Sequence, residues 1–123
     1  MNLSTLNPGA REHWLRADED LQDCRDLLDA GKHRWAITAL FYSALHRVNA
    51  YLVQRGRQPT SHDLRERLVA RELPAIADDY LALKQRSERA RYWPGVTITG
   101  ADVQSMLDGE YQAIVAGITA RLP

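Results

Sequence analysis

A histidine that titrates near neutrality can carry a proton, and an arginine can hold the charge that develops on phosphate oxygens. Both residue types gather between Trp35 and Tyr92. The stretch W-A-I-T-A-L-F-Y-S-A-L-H reads as a helix on which Tyr42 and His46 share a face, and Ala39, Asn49 and Val53 continue that stripe. His62 enters just after a break at R-G-R-Q-P-T-S-H, where Thr60 or Ser61 can cap the next helix. A short antiparallel connection can return it towards the helix that carries His46. Arg57 lies just before His62, and Arg86, Arg89, Arg91 and Tyr92 close the segment. The expected site is a polar pocket of Tyr42, His46, Arg57, His62, Arg89 and Arg91 for a ligand that carries phosphate.

Other chemistries lack their parts. Metal binding asks for three or four ligands in a compact array, and His46 with His62, even joined by Asp63, has no H-E-x-x-H or C-x-x-C spacing. No metal and no cofactor is expected. Ser43 lies near His46, but no G-x-S-x-G elbow or oxyanion loop surrounds it, and no Gly-rich phosphate loop exists. His46 also suits a plainer role, that of a core histidine hydrogen-bonded to a neighbour. The single Cys24 cannot form an internal disulfide. Between Asp23, Arg25 and Asp26 it reads as a small helix residue rather than a nucleophile, because nearby acids disfavour its thiolate.

The elements that must position these residues are helices. Asn7 can cap the first, with Pro8 in its first turn, and Trp14, Ala17, Leu21, Cys24 and Leu28 recur at helical steps until Gly31. The second is expected from about His33 to Arg55 and is apolar on most of its circumference, with Ile37, Phe41, Ala44, Val48 and Tyr51 forming a second stripe. Such a helix should be the longest and most buried, or covered on its second side by a partner. Gly56 stops it. A short third helix starts at Thr60 or Ser61, and Pro74 opens a fourth that ends at Trp93-Pro94-Gly95. A fifth begins near Thr99, with Val103, Leu107, Ile114, Ile118 and Leu122 on its inner face.

The chain has 123 residues, 45% hydrophobic and 26% charged, enough for one ordinary core, so residues 1–123 are expected to form a single domain. No run approaches the roughly 18–20 apolar residues of a membrane span, and the N-terminus lacks the regions of a signal peptide. A cytoplasmic location without membrane attachment is the expectation. Net charge is zero, which argues against a nucleic-acid binder held by bulk electrostatics, but the charges are segregated. Asp18 to Asp29 carries six acids against Arg25 alone, whereas Arg55 to Arg71 carries five arginines and Lys84 to Arg91 four cations. Only Lys32 and Lys84 are lysines, and arginine suits phosphate through its planar donor fork.

Taken in order, A-x-x-A-x-x-Y-S-A-x-H from Ala36 to His46, Gly56, P-T-S-H-D-L from Pro59 to Leu64 and R-A-R-Y ending at Tyr92 resemble the HEPN family of prokaryotic helical domains, over roughly Leu21 to Tyr92. The resemblance implies an all-α up-and-down bundle of about five helices, frequent dimerisation, and work on RNA or nucleotides, often in toxin–antitoxin or defence operons. HEPN ribonucleases use an R-x4-6-H motif without a metal, and Arg57 to His62 satisfies that string. On this reading Arg57, His62 and His46 are the catalytic candidates, and Tyr42, Arg86, Arg89, Arg91 and Tyr92 contact phosphate or RNA. The family motif usually sits later in the chain, however, where Arg89 and Arg91 have no histidine after them. Catalysis on that plan needs His62 or His46 to meet one of those arginines across helices or across a dimer interface. The alternative is a catalytically silent nucleotide-binding or adaptor subunit that docks a partner such as a nucleotidyltransferase. Either way a homodimer or a heteromer with an operon partner is expected, because so small a bundle struggles to cover every apolar face.

Overall fold

The computed structural model describes residues Met1–Pro123. Helix α1, Pro8–Asp29, begins where the Asn7 side chain accepts a hydrogen bond from the backbone N–H of Ala10 at 2.8 Å, with Pro8 in the first turn. Gly31, at φ 75°, supplies the left-handed residue that turns the chain into α2, His33–Gln54. The two pack antiparallel, so that Gly9 meets Val53 while Ala17 meets Ser43. Ser61, not Thr60, caps α3, His62–Glu72, by accepting from the N–H of Leu64 at 3.1 Å. Pro74 then opens α4, Pro74–Tyr92. Thr99 and Asp102 close a capping box at the start of α5, Gly100–Met106. A π-helical turn, Leu107–Tyr111, joins α5 to α6, Gln112–Thr119. No strand occurs, and no helix is long and apolar enough to cross a membrane.

The expected fifth helix is therefore one rod with a widened turn in it, and its inner face is the predicted one: Val103, Leu107, Ile114 and Ile118 are buried. Leu122 is only half-buried, because the helix has ended before it. Gly100 packs on His33 and Tyr111 bonds Ser43, so this rod lies parallel to α2. It runs antiparallel to α4, with Arg86 meeting Asp102 and Ile76 meeting Gly117.

Helix α2 is central, with thirteen buried residues against five on α1, but it shares its length of 22 residues with α1 rather than exceeding it. Phe41 is 1% exposed, in the one cluster that forms the core. The expectation of an almost wholly apolar α2 needs correction, because Ser43, Arg47 and Asn49 are buried on it as well. Arg47 has a partner on each of its three guanidinium nitrogens. It bonds the Tyr111 hydroxyl at 3.1 Å, the Trp14 carbonyl at 3.3 Å and the Asp18 carboxylate at 2.8 Å, and its guanidinium lies 4.3 Å from the centre of the Trp14 ring. Ser43 completes the network with 2.7 Å bonds to the Ala17 carbonyl and the Tyr111 hydroxyl. Polar residues thus tie α1, α2 and the π turn together inside an apolar core. Cys24 is buried among these helices, and it is burial, rather than the flanking acids, that pushes its thiol up to about 11.

The approach of α6 to α4 fixes one side chain. A Cβ at Gly117 would fall onto Cγ2 of Ile76, a buried β-branched residue that cannot swing aside. Overpacking of this kind costs about 1–3 kcal/mol, more than the roughly 1 kcal/mol that alanine gains over glycine in a helix. Gly117→Ala is expected to lower the urea midpoint, whereas Gly109→Ala, which meets nothing within 4 Å, is expected to raise it. Equal shifts of the two would contradict this packing.

Candidate functional site

Three of the four histidines lie within the field of one buried arginine, and one of them bonds it directly. Arg65 sits one turn after His62 on α3 and is only 7% exposed. Its Nε donates to Asn49 Oδ1 at 2.8 Å, one Nη to His62 Nδ1 at 3.2 Å and the other to the Pro59 carbonyl at 3.2 Å. All three acceptors are neutral, and Arg65 takes part in none of the chain's ion pairs. The contrast with Arg47, equally buried but paired with Asp18, is direct. Beside Arg65 lies Tyr80 of α4, 1% exposed, whose hydroxyl proton has no acceptor and whose pKa burial pushes up against the opposing pull of Arg65.

The hydrogen bond from Arg65 decides the form of His62. Arginine only donates, so His62 Nδ1 must present its lone pair, and in the neutral ring the proton sits on Nε2. Burial first, then Arg65 and Lys84, lower the pKa of His62, against the pull of Glu66 and Glu88. His13 of α1 and His46 of α2 face each other, Nδ1 to Nδ1, at 3.0 Å with their rings stacked. That contact accommodates a single proton, so the two rings cannot both be charged. Burial, then His13, Arg16 and Arg65, bring His46 down to about 4, and burial and Arg65 lower His13 despite Glu12. His46 Nε2 lies 3.9 Å from Asp20 Oδ2, a buried atom without a hydrogen-bond partner, on a carboxyl whose pKa burial raises. His46 therefore does have the hydrogen-bonded neighbour of the plainer reading, and it also lies within the field of Arg65.

The remaining candidates separate into two places. Arg57 is held by Glu72 at 3.0 Å, and His62 takes its arginine from its own helix instead. Arg86 is paired with Asp102 at 3.1 Å. Arg91 lies 5.8 Å from the ring centre of Tyr42 and 5.2 Å from that of Tyr92, and it donates to Ser87 at 3.2 Å. Arg89 lies over Trp93. His62 is thus bonded to Arg65 with His46 in the same field, and Tyr42, Arg91 and Tyr92 gather around one another. Phe41 links the groups, with ring centres 5.4 Å from Tyr42 and 6.3 Å from His62.

A family model described as HEPN domain matches residues 10–108, which takes in every residue of both groups. The chain belongs to the HEPN domain family. No curated protein matches it. Membership supports a nucleotide- or RNA-related function for this HEPN chain. It also confirms the all-α bundle as the family's fold. Of the residues missed in the sequence, Arg65 carried a signal, since position i+3 from His62 shares its helix face. His13 carried none, because its meeting with His46 depends on how α1 crosses α2.

The lowered imidazoles link stability to pH. The unfolded chain takes up protons on them from about pH 6.5 downwards, whereas folded His46 does so only near 4, so their contribution is complete above 6.5 and is lost as pH falls towards 4. The raised carboxyl of Asp20 acts in the opposite sense and offsets part of this loss. The urea midpoint is expected to be lower at pH 5 than at pH 7, and His46→Gln to shrink that difference. An unchanged difference in the variant would remove His46 as its source.

Proposed function

We propose that this HEPN chain binds RNA or a nucleotide by taking a phosphate group at the Arg65 cluster. The observation that carries the reading is a buried guanidinium whose hydrogen-bond acceptors are all neutral, next to a buried phenol whose proton has no acceptor. A buried cation without a counter-charge is costly, and a phosphate oxygen would supply both the charge and the missing acceptor. His62, at the exposed rim, is held by Arg65 with its Nε2–H free to donate, and His13 and His46 provide neutral rings at the half-buried side. Phosphate recognition by arginine is the strong, charge-assisted kind.

The same tautomer favours binding over cleavage. A general base needs a lone pair aimed at the attacking 2'-hydroxyl, and the Nδ1 lone pair of His62 is already taken by Arg65. Arg57, the other half of the R-x4-H string, is occupied by Glu72. The chain is accordingly read as a catalytically silent nucleotide- or RNA-binding subunit of a toxin–antitoxin or defence system, docked to an operon partner such as a nucleotidyltransferase or to a second copy. The exposed position of His62 beside an arginine is what favours the second reading, metal-independent cleavage by His62 and Arg65.

Inorganic phosphate added to the protein is expected to shift the ring-proton resonances of His62, His13 and His46. His62→Ala should weaken binding of a nucleoside monophosphate and of RNA by about 10- to 100-fold, as the loss of one hydrogen bond to a charged group does. Total RNA incubated with the protein in EDTA should stay intact. Cleavage in EDTA that His62→Ala abolishes would establish the second reading; phosphate that shifts no histidine resonance would remove the Arg65 site.

A further inference from the structure

The antiparallel packing brings the α1–α2 turn, the end of α4 and the start of α5 to one end of the bundle. Seven large hydrophobic side chains of this chain are exposed, and four of them, all aromatic, lie towards that end: Tyr92 at 70%, Trp93 at 61%, Trp35 at 48% and Tyr42 at 39%. Trp35 and Tyr42 are two turns apart on α2 and share a face. Tyr92 and Trp93 terminate α4, and Arg91 connects Tyr92 to Tyr42. Nothing in the core requires aromatic rings at these positions.

Each ring has a guanidinium against it. Arg34 lies 5.0 Å from the ring centre of Trp35, Arg89 5.8 Å from that of Trp93, and Arg91 serves both Tyr42 and Tyr92. Lys32, Arg34, Arg89 and Arg91 belong to no ion pair, while Asp102, the carboxylate at the head of α5, is already engaged by Arg86. Asp29 is the exposed acid that remains at the turn. Beside the Trp35 ring is an open cavity of about 420 Å³, lined by Gly31, Lys32, His33, Arg34 and Ile98. The surface therefore alternates flat π-faces with unpaired cations. A chain of unpaired bases on a phosphodiester backbone complements both features, whereas a protein partner would have to supply acids to four cations that no ion pair engages.

We infer that this end of the bundle is a stacking platform for single-stranded RNA, with bases on Trp35, Tyr42, Tyr92 and Trp93 and backbone phosphates on Arg34, Arg89 and Arg91. The inference takes its ligand class from the RNA reading above, but its contacts, apart from any strand that continues past Phe41 to His62, are separate from the Arg65 cluster. A strand on this platform is unpaired because bases within a duplex hide their faces.

The test is fluorescence anisotropy with three labelled probes of one length: an oligouridine, the same backbone without bases, and an RNA duplex. Wild type is expected to bind the oligouridine most tightly and to show quenching of its tryptophan fluorescence on doing so. Trp35→Ala and Trp93→Ala, both at exposed positions, should each weaken that binding about 5- to 100-fold, as loss of one stacked base does, and Trp→Phe should retain much of it. Equal affinity for the abasic backbone, wild-type affinity in both alanine variants, or no binding of any probe would overturn the platform. So would protection of these rings by a protein partner that excludes the oligouridine. If RNA binding falls in His62→Ala while the tryptophan variants bind normally, the platform fails and the Arg65 site stands. If the tryptophan variants lose binding while phosphate leaves the histidines unshifted, the reverse holds.

Discussion

A guanidinium removed from water has to recover its hydrogen bonds and its counter-charge, and two arginines are buried in this bundle, one on the central helix and one against it. Arg47 recovers both from the protein. Its bonds to Trp14, Asp18 and Tyr111 reach α1 and the π turn at once, and Ser43 adds a second tie between the same segments. Because these groups lie inside the core, their geometry has to be satisfied together or the charge is stranded. The crossing of α1 over α2, and the placing of Tyr111 under both, follow from that demand as much as from apolar packing.

Arg65 recovers its hydrogen bonds but no charge, and its surroundings have adapted accordingly. The field of an unpaired cation disfavours further protons, and Arg65 contributes to the lowered pKa of His13, His46 and His62. Imidazoles whose protonation is disfavoured near a positive centre are what the proposed phosphate site requires. The Arg47 network holds α1 against α2, and that contact is what brings His13 to His46. One buried arginine thereby frames the surroundings of the other.

The exposed aromatics follow a different physical rule. A ring with a guanidinium on its face is stable at the surface without a core to bury it, since the cation–π contact offsets part of the exposed area. Four such rings gather where two connections and two helix ends meet. That region does not carry the packing of the core, so its side chains are available for contact.

Much of the architecture was legible from local chemistry. Asn7 with Pro8, Gly31, Gly56, Pro74 and Thr99 with Asp102 each act through their own backbone neighbourhood, so the limits of the helices could be read residue by residue. Ile37, Phe41, Ala44 and Val48 on α2 declared the core through their period, and Tyr42 with His46 declared a shared face. Which arginine would meet which histidine was not legible. Arg57, Arg65, Arg89 and Arg91 are chemically alike in the sequence, and only packing assigns Arg57 to Glu72, Arg91 to Tyr42 and Arg65 to the histidines. Burial of Arg47 was equally hidden, because its partners Trp14, Asp18 and Tyr111 are distant in the chain. Caps and periodicity act over one or two turns and are written in neighbouring residues, whereas the pairing of a buried charge depends on which helices cross, and at what register.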